Sequence, residues 1–163
     1  MIRMIVEICL VFLSIFIGFL WGIFYCRKKL YYPLLDLKRK NEKFKAFYDI
    51  LVRWHMIRGT GNVVEKYLLD RGYKSIAIYG MKELGVILFE ELKDSAVSVK
   101  YAIDRNASSI CRGDIRIVTP DSEMDAVDAV VVTVIQSFDE IKDSVYGVLK
   151  CPVISIEDIL FQT

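Results

Sequence analysis

The sequence predicts an α/β protein: a small doubly wound parallel sheet of about five strands, preceded by an N-terminal apolar helix and a helical linker. Three observations predict it. From Lys74 onward, short β-branched runs alternate with amphipathic segments, the pattern of a parallel sheet with crossover helices. The turn after the first run carries Gly80 and Gly85, spaced as in a nucleotide-binding strand-to-helix turn. Ahead of both, Ile8 to Cys26 runs nineteen residues without a charge and stops at Arg27, Lys28 and Lys29.

At about 1.5 Å per residue, a helix of that length spans roughly the 30 Å hydrocarbon core of a bilayer. The segment ends in Trp21-Gly22-Ile23-Phe24-Tyr25-Cys26, too bulky for a signal-peptide cleavage site. Glu7 sits at its outer edge, within reach of the interface. Only Arg3 precedes the run, whereas Arg27, Lys28, Lys29, Lys38, Arg39, Lys40, Lys43 and Lys45 follow it. Positive flanks stay cytoplasmic, so the expectation is a single-pass membrane protein with its N-terminus outside and its C-terminal part cytosolic.

The formal net charge of +1 hides a division. Residues 27–58 carry ten Lys or Arg against three acids, and residues 59–163 carry eleven against seventeen. A basic stretch beside a membrane span favours anionic headgroups at Arg27, Lys28 and Lys29 as partners, not nucleic acid. Cys9, Cys26, Cys111 and Cys151 show no metal-site spacing and, in the cytosol, are expected to stay reduced.

The resulting division is a transmembrane anchor with its basic flank (1–29), a basic amphipathic helical linker (30–61) and an α/β domain (62–163). After Pro33, the residues Phe44, Phe47, Tyr48, Leu51 and Trp54 recur at helical spacing. Their face can pack on the globular domain, lie on the membrane or meet a partner, so helix 34–57 is a candidate surface for self-association or a second protein. Gly59-Thr60-Gly61 breaks the pattern. Asn62 opens a short helix with Val63, Val64, Tyr67 and Leu68 on one face, and Gly72 stands at its left-handed end. Strands follow at Ser75–Tyr79, Val97–Ile103, Ile115–Val118, Val127–Ile135 and Pro152–Ile156. Helices follow at Glu83–Lys93, from Ser137 to about Leu149 behind a Ser137…Glu140 capping box, and at Glu157–Leu160. A 3-2-1-4-5 strand order asks the chain to cross about 14 Å between the third and fourth strands. Thr119–Ala126 reaches that far only with little helix in it, so the third strand is expected to be a short edge strand.

The chemistry concentrates at Tyr79-Gly80-Met81-Lys82-Glu83-Leu84-Gly85. A dinucleotide fingerprint here reads GxGxxG, and Lys82 stands where the middle glycine lets phosphates approach the backbone. Its side chain either obstructs that approach or binds phosphate itself. Asp104, at the tip of the second strand, suits the acid that accepts ribose hydroxyls, and Arg105 beside it suits an added phosphate. Thr133 and Gln136 close the opposite side of the crevice. The candidate cofactor-binding residues are therefore Gly80, Met81, Lys82, Gly85, Asp104, Arg105, Thr133 and Gln136, with NAD(P) or a nucleotide-sugar as the ligand. The structural alternative is that Gly80 and Gly85 only permit a tight turn and close packing.

Other motifs fail on context. Val86-Ile87 replace the Lys-Ser/Thr of a Walker A loop. Tyr146…Lys150 matches the YxxxK pair of short-chain dehydrogenases, but closes a helix at the end away from the ligand edge. His55, the one histidine, falls outside the α/β part. No catalytic constellation and no metal-ligand cluster is visible.

The segments Gly72–Gly80, Glu83-Leu84-Gly85, Ile103-Asp104-Arg105-Asn106, Asp128–Thr133 and Cys151–Ile159 together resemble a Rossmann-like domain of bacterial surface-polysaccharide loci. They are also similar to the N-terminal nucleotide-sugar-binding domain of PglD-type sugar acyltransferases. The resemblance implies nucleotide-sugar binding in polysaccharide synthesis; without the β-helix that carries acyl transfer in those enzymes, it does not imply that reaction. The function expected is a membrane-anchored accessory or sensor that binds a nucleotide or nucleotide-sugar. Two alternatives stand beside it: an interaction scaffold without ligand, and an NAD(P)-linked or sugar-nucleotide-modifying enzyme whose base comes from a partner chain.

Overall fold

The computed structural model describes residues 2–58, 62–110 and 112–162, so the Gly59-Thr60-Gly61 breaker and Cys111 lie outside the described residues. The chain divides into two compact units, Met1–Phe47 and Tyr48–Thr163.

In the first unit, helix α1 (Ile2–Cys26) passes through one π-helical turn, Arg27–Tyr31, into helix α2 (Tyr32–Arg58). Among the described residues this is one helix long and apolar enough to cross a membrane, and its apolar stretch buries nothing in the protein. The helix runs past Pro33 instead of restarting there. Pro33 has no N–H for the carbonyl four residues back and its ring crowds that carbonyl. The wider turn just before it relieves the conflict: the Tyr32 N–H bonds to the Arg27 carbonyl, five residues back. At this junction the Lys29 ammonium donates to the Tyr25 hydroxyl (3.1 Å), and Tyr31 meets Tyr32 edge to face.

The second unit begins inside the segment that the sequence assigns to the linker. The last turns of α2 belong to the α/β core, with Ile50, Trp54 and Ile57 buried. The Trp54 indole N–H donates to Glu91 (2.6 Å), whose carboxylate also lies 3.3 Å from the Arg58 guanidinium, and the Arg53 Nε–H donates to the Leu160 carbonyl (3.0 Å). Of the predicted stripe only Trp54 is fully buried, and Phe44 and Tyr48 stay exposed. Helix α3 (Val63–Asp70) starts on a reciprocal cap: the Asn62 side chain accepts from the Glu65 N–H and donates to the Glu65 carboxylate. It ends in a Schellman motif at Gly72, with Tyr73 N–H on the Leu68 carbonyl and Gly72 N–H on that of Leu69.

The sheet is parallel, in the order β3-β2-β1-β4-β5, as the sequence predicts. Its strands are β1 (Ser75–Tyr79), β2 (Ser98–Ile103), β3 (Ile117–Val118), β4 (Ala129–Val132) and β5 (Val153–Ser155). Helix α4 (Glu83–Leu92) follows β1, α5 (Phe138–Leu149) follows β4 and α6 (Ile156–Phe161) follows β5. The strand order reverses at β1, so right-handed crossovers place α4 and α5 on opposite faces. On the α5 side, Ala77, Tyr79, Ile103, Val130 and Val132 pack with Ile141 and Val145. Buried Cys151 belongs to the same cluster, and burial pushes its thiol above the ordinary value. The β3–β4 crossing contains no helix and is tied by the Tyr101 hydroxyl on the Asp125 carbonyl (2.7 Å).

Two local predictions need correction. Strand β4 stops at Val132, three residues short of Ile135, because Thr133 turns its hydroxyl onto the Tyr79 and Gly80 carbonyls and residues 135–137 form a 3-10 turn. That turn winds straight into α5, so Ser137 lacks the extended backbone of a capping residue and the Ser137…Glu140 box does not form. The cap that does form in this half belongs to α6, where the Ser155 hydroxyl accepts from the Glu157 N–H (3.2 Å).

Candidate functional site

A cleft of about 190 Å³ opens beyond the carboxyl ends of β1, β2 and β4, at the point where the strand order reverses. Open α/β sheets place their ligands at such switch points. Its floor is set by a close approach of α4 to the end of β1. Gly80 has φ +95°, and a Cβ there would lie 2.5 Å from Val134 Cγ2. A Cβ on Gly85 would lie 1.9 Å from the Gly80 carbonyl oxygen. Both glycines are thus demanded by packing. The first intrahelical bond of α4 runs from the Val86 N–H to the Lys82 carbonyl (2.9 Å), which leaves the Glu83, Leu84 and Gly85 amides without an intrahelical acceptor. Such an end attracts anions.

Asp104 is 8 % exposed and already engaged: one carboxylate oxygen accepts from the Met81 N–H (2.8 Å), the other from the Asn106 N–H (2.9 Å). It staples the β1–α4 turn to the end of β2. Thr133 does the equivalent from β4, donating to the Gly80 carbonyl (2.7 Å). Of the predicted residues, Gly80, Lys82, Asp104 and Arg105 line the cleft. Met81 buries its side chain and offers only its N–H to Asp104. Gly85 lies beneath, Thr133 is a buried brace, and Gln136 is exposed on the 3-10 turn outside the lining. Ser137, expected only as a helix cap, and Ile141 line the α5 side. The misplaced capping box concealed Ser137: its hydroxyl is free to face the cleft because it caps nothing.

Lys82 and Arg105 are both exposed and form no ion pair or hydrogen bond with other described residues. The cleft therefore joins two exposed, unpaired cations to one carboxylate spent on backbone amides, next to the first turn of α4, which carries Glu83. Among the described residues no group of three metal-ligating side chains comes together. His55 lies on α2, and Lys150 ends α5 in the left-handed conformation.

No family model, curated protein or solved structure matches the chain.

Proposed function

We propose that this chain is a membrane-anchored domain that binds a nucleotide or nucleotide-sugar in the switch-point cleft and serves a membrane assembly as an accessory or sensor. The observation that carries the reading is the unpaired pair Lys82 and Arg105 at the mouth of that cleft, beside the amides that open α4. Lys82 takes the position of the middle fingerprint glycine, and its ammonium replaces the missing backbone approach by reaching to phosphate. The sequence resemblance to polysaccharide-locus domains supports a nucleotide-sugar, and with it a role in surface-polysaccharide synthesis. The basic run after α1 supports a cytosolic cleft and contact of Arg27, Lys28 and Lys29 with anionic headgroups.

The test is a thermal-shift series on the full chain in detergent with NAD(H), NADP(H), UDP-sugars and CoA. A ligand at about a hundred times its Kd adds roughly 2.7 kcal/mol, a rise of several degrees. The rise is expected to vanish in Lys82→Glu. Failure of every ligand to raise the melting temperature overturns the reading. The scaffold alternative draws on the exposed Leu34, Leu37, Phe44 and Tyr48 of helix 34–57; cross-linking between single cysteines placed at 37 and 44 in membranes is its test.

A further inference from the structure

Resting on the nucleotide reading above, we infer that the cleft takes a nucleotide with a phosphate on its ribose, read by Arg105, in addition to chain phosphates at the end of α4. The argument starts from Asp104. A carboxylate at the tip of the second strand selects a free ribose diol by accepting its hydroxyl protons. Here that carboxylate is more than nine-tenths buried, and each oxygen already accepts a backbone N–H, from Met81 and from Asn106. Each oxygen is thus already hydrogen-bonded before a ligand arrives, and the residue turns little surface to the cleft. A diol arriving at this place meets a group committed to holding the turn.

The next residue carries the opposite chemistry. Arg105 is exposed, lines the cleft and has no partner among the described residues. A guanidinium presents a planar fork of donors that matches phosphate oxygens in two parallel bonds. An unphosphorylated ribose offers that fork nothing of comparable strength.

Lys82 lies on a different loop, at the start of α4. The cleft thus holds its two free cations on two neighbouring loops, one beside the helix amides and one at the ribose end. A ligand with a pyrophosphate and a separate ribose phosphate satisfies both. NADP-type and coenzyme-A-type molecules share this chemistry. The modest cleft volume agrees with capture of the phosphorylated ribose region, with the rest of the molecule along the surface, since enclosing sites run to roughly 300–1,000 Å³.

Two matched pairs isolate the added phosphate: NADP⁺ against NAD⁺, and CoA against dephospho-CoA, titrated calorimetrically into the full chain in detergent. The phosphorylated member of at least one pair is expected to bind about tenfold or more tightly. Arg105→Ala should erase that preference, whereas Lys82→Ala should weaken both members alike; melting temperatures check that both variants fold. Equal affinity within each pair, or a preference that survives Arg105→Ala, overturns the inference while leaving the nucleotide reading intact. Binding of a UDP-sugar with none of these four does the same. Silence from all four and from the UDP-sugars removes the nucleotide reading and this inference together.

Discussion

The two ends of β1 are each held by one aspartate, and they are held differently. At the amino end Asp128 accepts from the Lys74 N–H (2.9 Å), the Ser75 N–H (2.7 Å) and the Ser75 hydroxyl (2.9 Å), out in solvent. At the carboxyl end Asp104 accepts two N–H groups while buried, beside a helix that all but touches the strand. The solvated aspartate can be exchanged for water when it is lost. The buried one is harder to replace, because the Met81 N–H that it holds is buried as well. The same hydrogen-bond chemistry therefore has unequal weight according to the medium around it.

The largest expected effect tests the crowding at the carboxyl end. Gly85→Ala puts a methyl group into the Gly80 carbonyl, and because backbone meets it, the helix must shift. Overpacking typically costs about 1–3 kcal/mol, and this contact belongs at or beyond the top of that range. Thermal unfolding of the full chain by circular dichroism should show a loss of ten degrees or so, or no folded α/β unit at all; an unchanged melting temperature would contradict the close approach. Next comes Asp104→Asn. The amide can accept from only one of the two N–H groups and turns a donor toward the other, at about 1–3 kcal/mol for a buried unsatisfied pair. A loss in Asp104→Asn no greater than that in Asp128→Asn would break the comparison.

The amino end is expected to respond to acid. Hydrogen bonds from the Ser75 N–H and hydroxyl, then from the Lys74 N–H, hold Asp128 below the ordinary carboxylate value of 3.8. A folded-state value below the unfolded one means that the stabilisation is present above that ordinary value and is lost as the pH falls through the folded one. The melting difference between the natural chain and Asp128→Asn should thus be steady from pH 7 to about 5 and close progressively below it. A gap that persists at pH 2 would show that the carboxylate charge is not what holds the strand. The smallest effect is Ser137→Ala, which removes no cap and should move stability by less than about 0.5 kcal/mol. It sharpens the picture if ligand affinity falls while the melting temperature of the free protein stays put.

The strand order, the edge position of β3 and the crossover helices were legible in the sequence because β-branched runs and period-3.6 faces are local patterns with one consistent arrangement. The long apolar N-terminal helix was legible because nineteen uncharged residues run there without a turn signal. What stayed hidden depends on where backbone groups find partners. Thr133 looks like one more residue of a strand, yet its hydroxyl turns to the carbonyls of Tyr79, the last residue of β1, and of Gly80 just after it. Asp104 looks like a ligand-binding acid, yet its two oxygens also hold the Met81 and Asn106 amides. The buried side of α2 was legible only in part: aromatic spacing marks a stripe that includes Trp54, but the fully buried set is Ile50, Trp54 and Ile57, and Trp54 is fixed there by its bond to Glu91. Lys82 and Arg105, by contrast, could be placed at the cleft from position alone, since strand ends in this topology converge there.

The contact between Gly85 and the Gly80 carbonyl ties evolvability to architecture. Any side chain at position 85 that levers the helix away also rotates the amides of its first turn, so the floor of the cleft has almost no freedom to drift. Variation in the chemistry of the cleft must then come from the rim, at positions 82, 105, 106 and 137. A lineage could retune those four while its scaffold stood still.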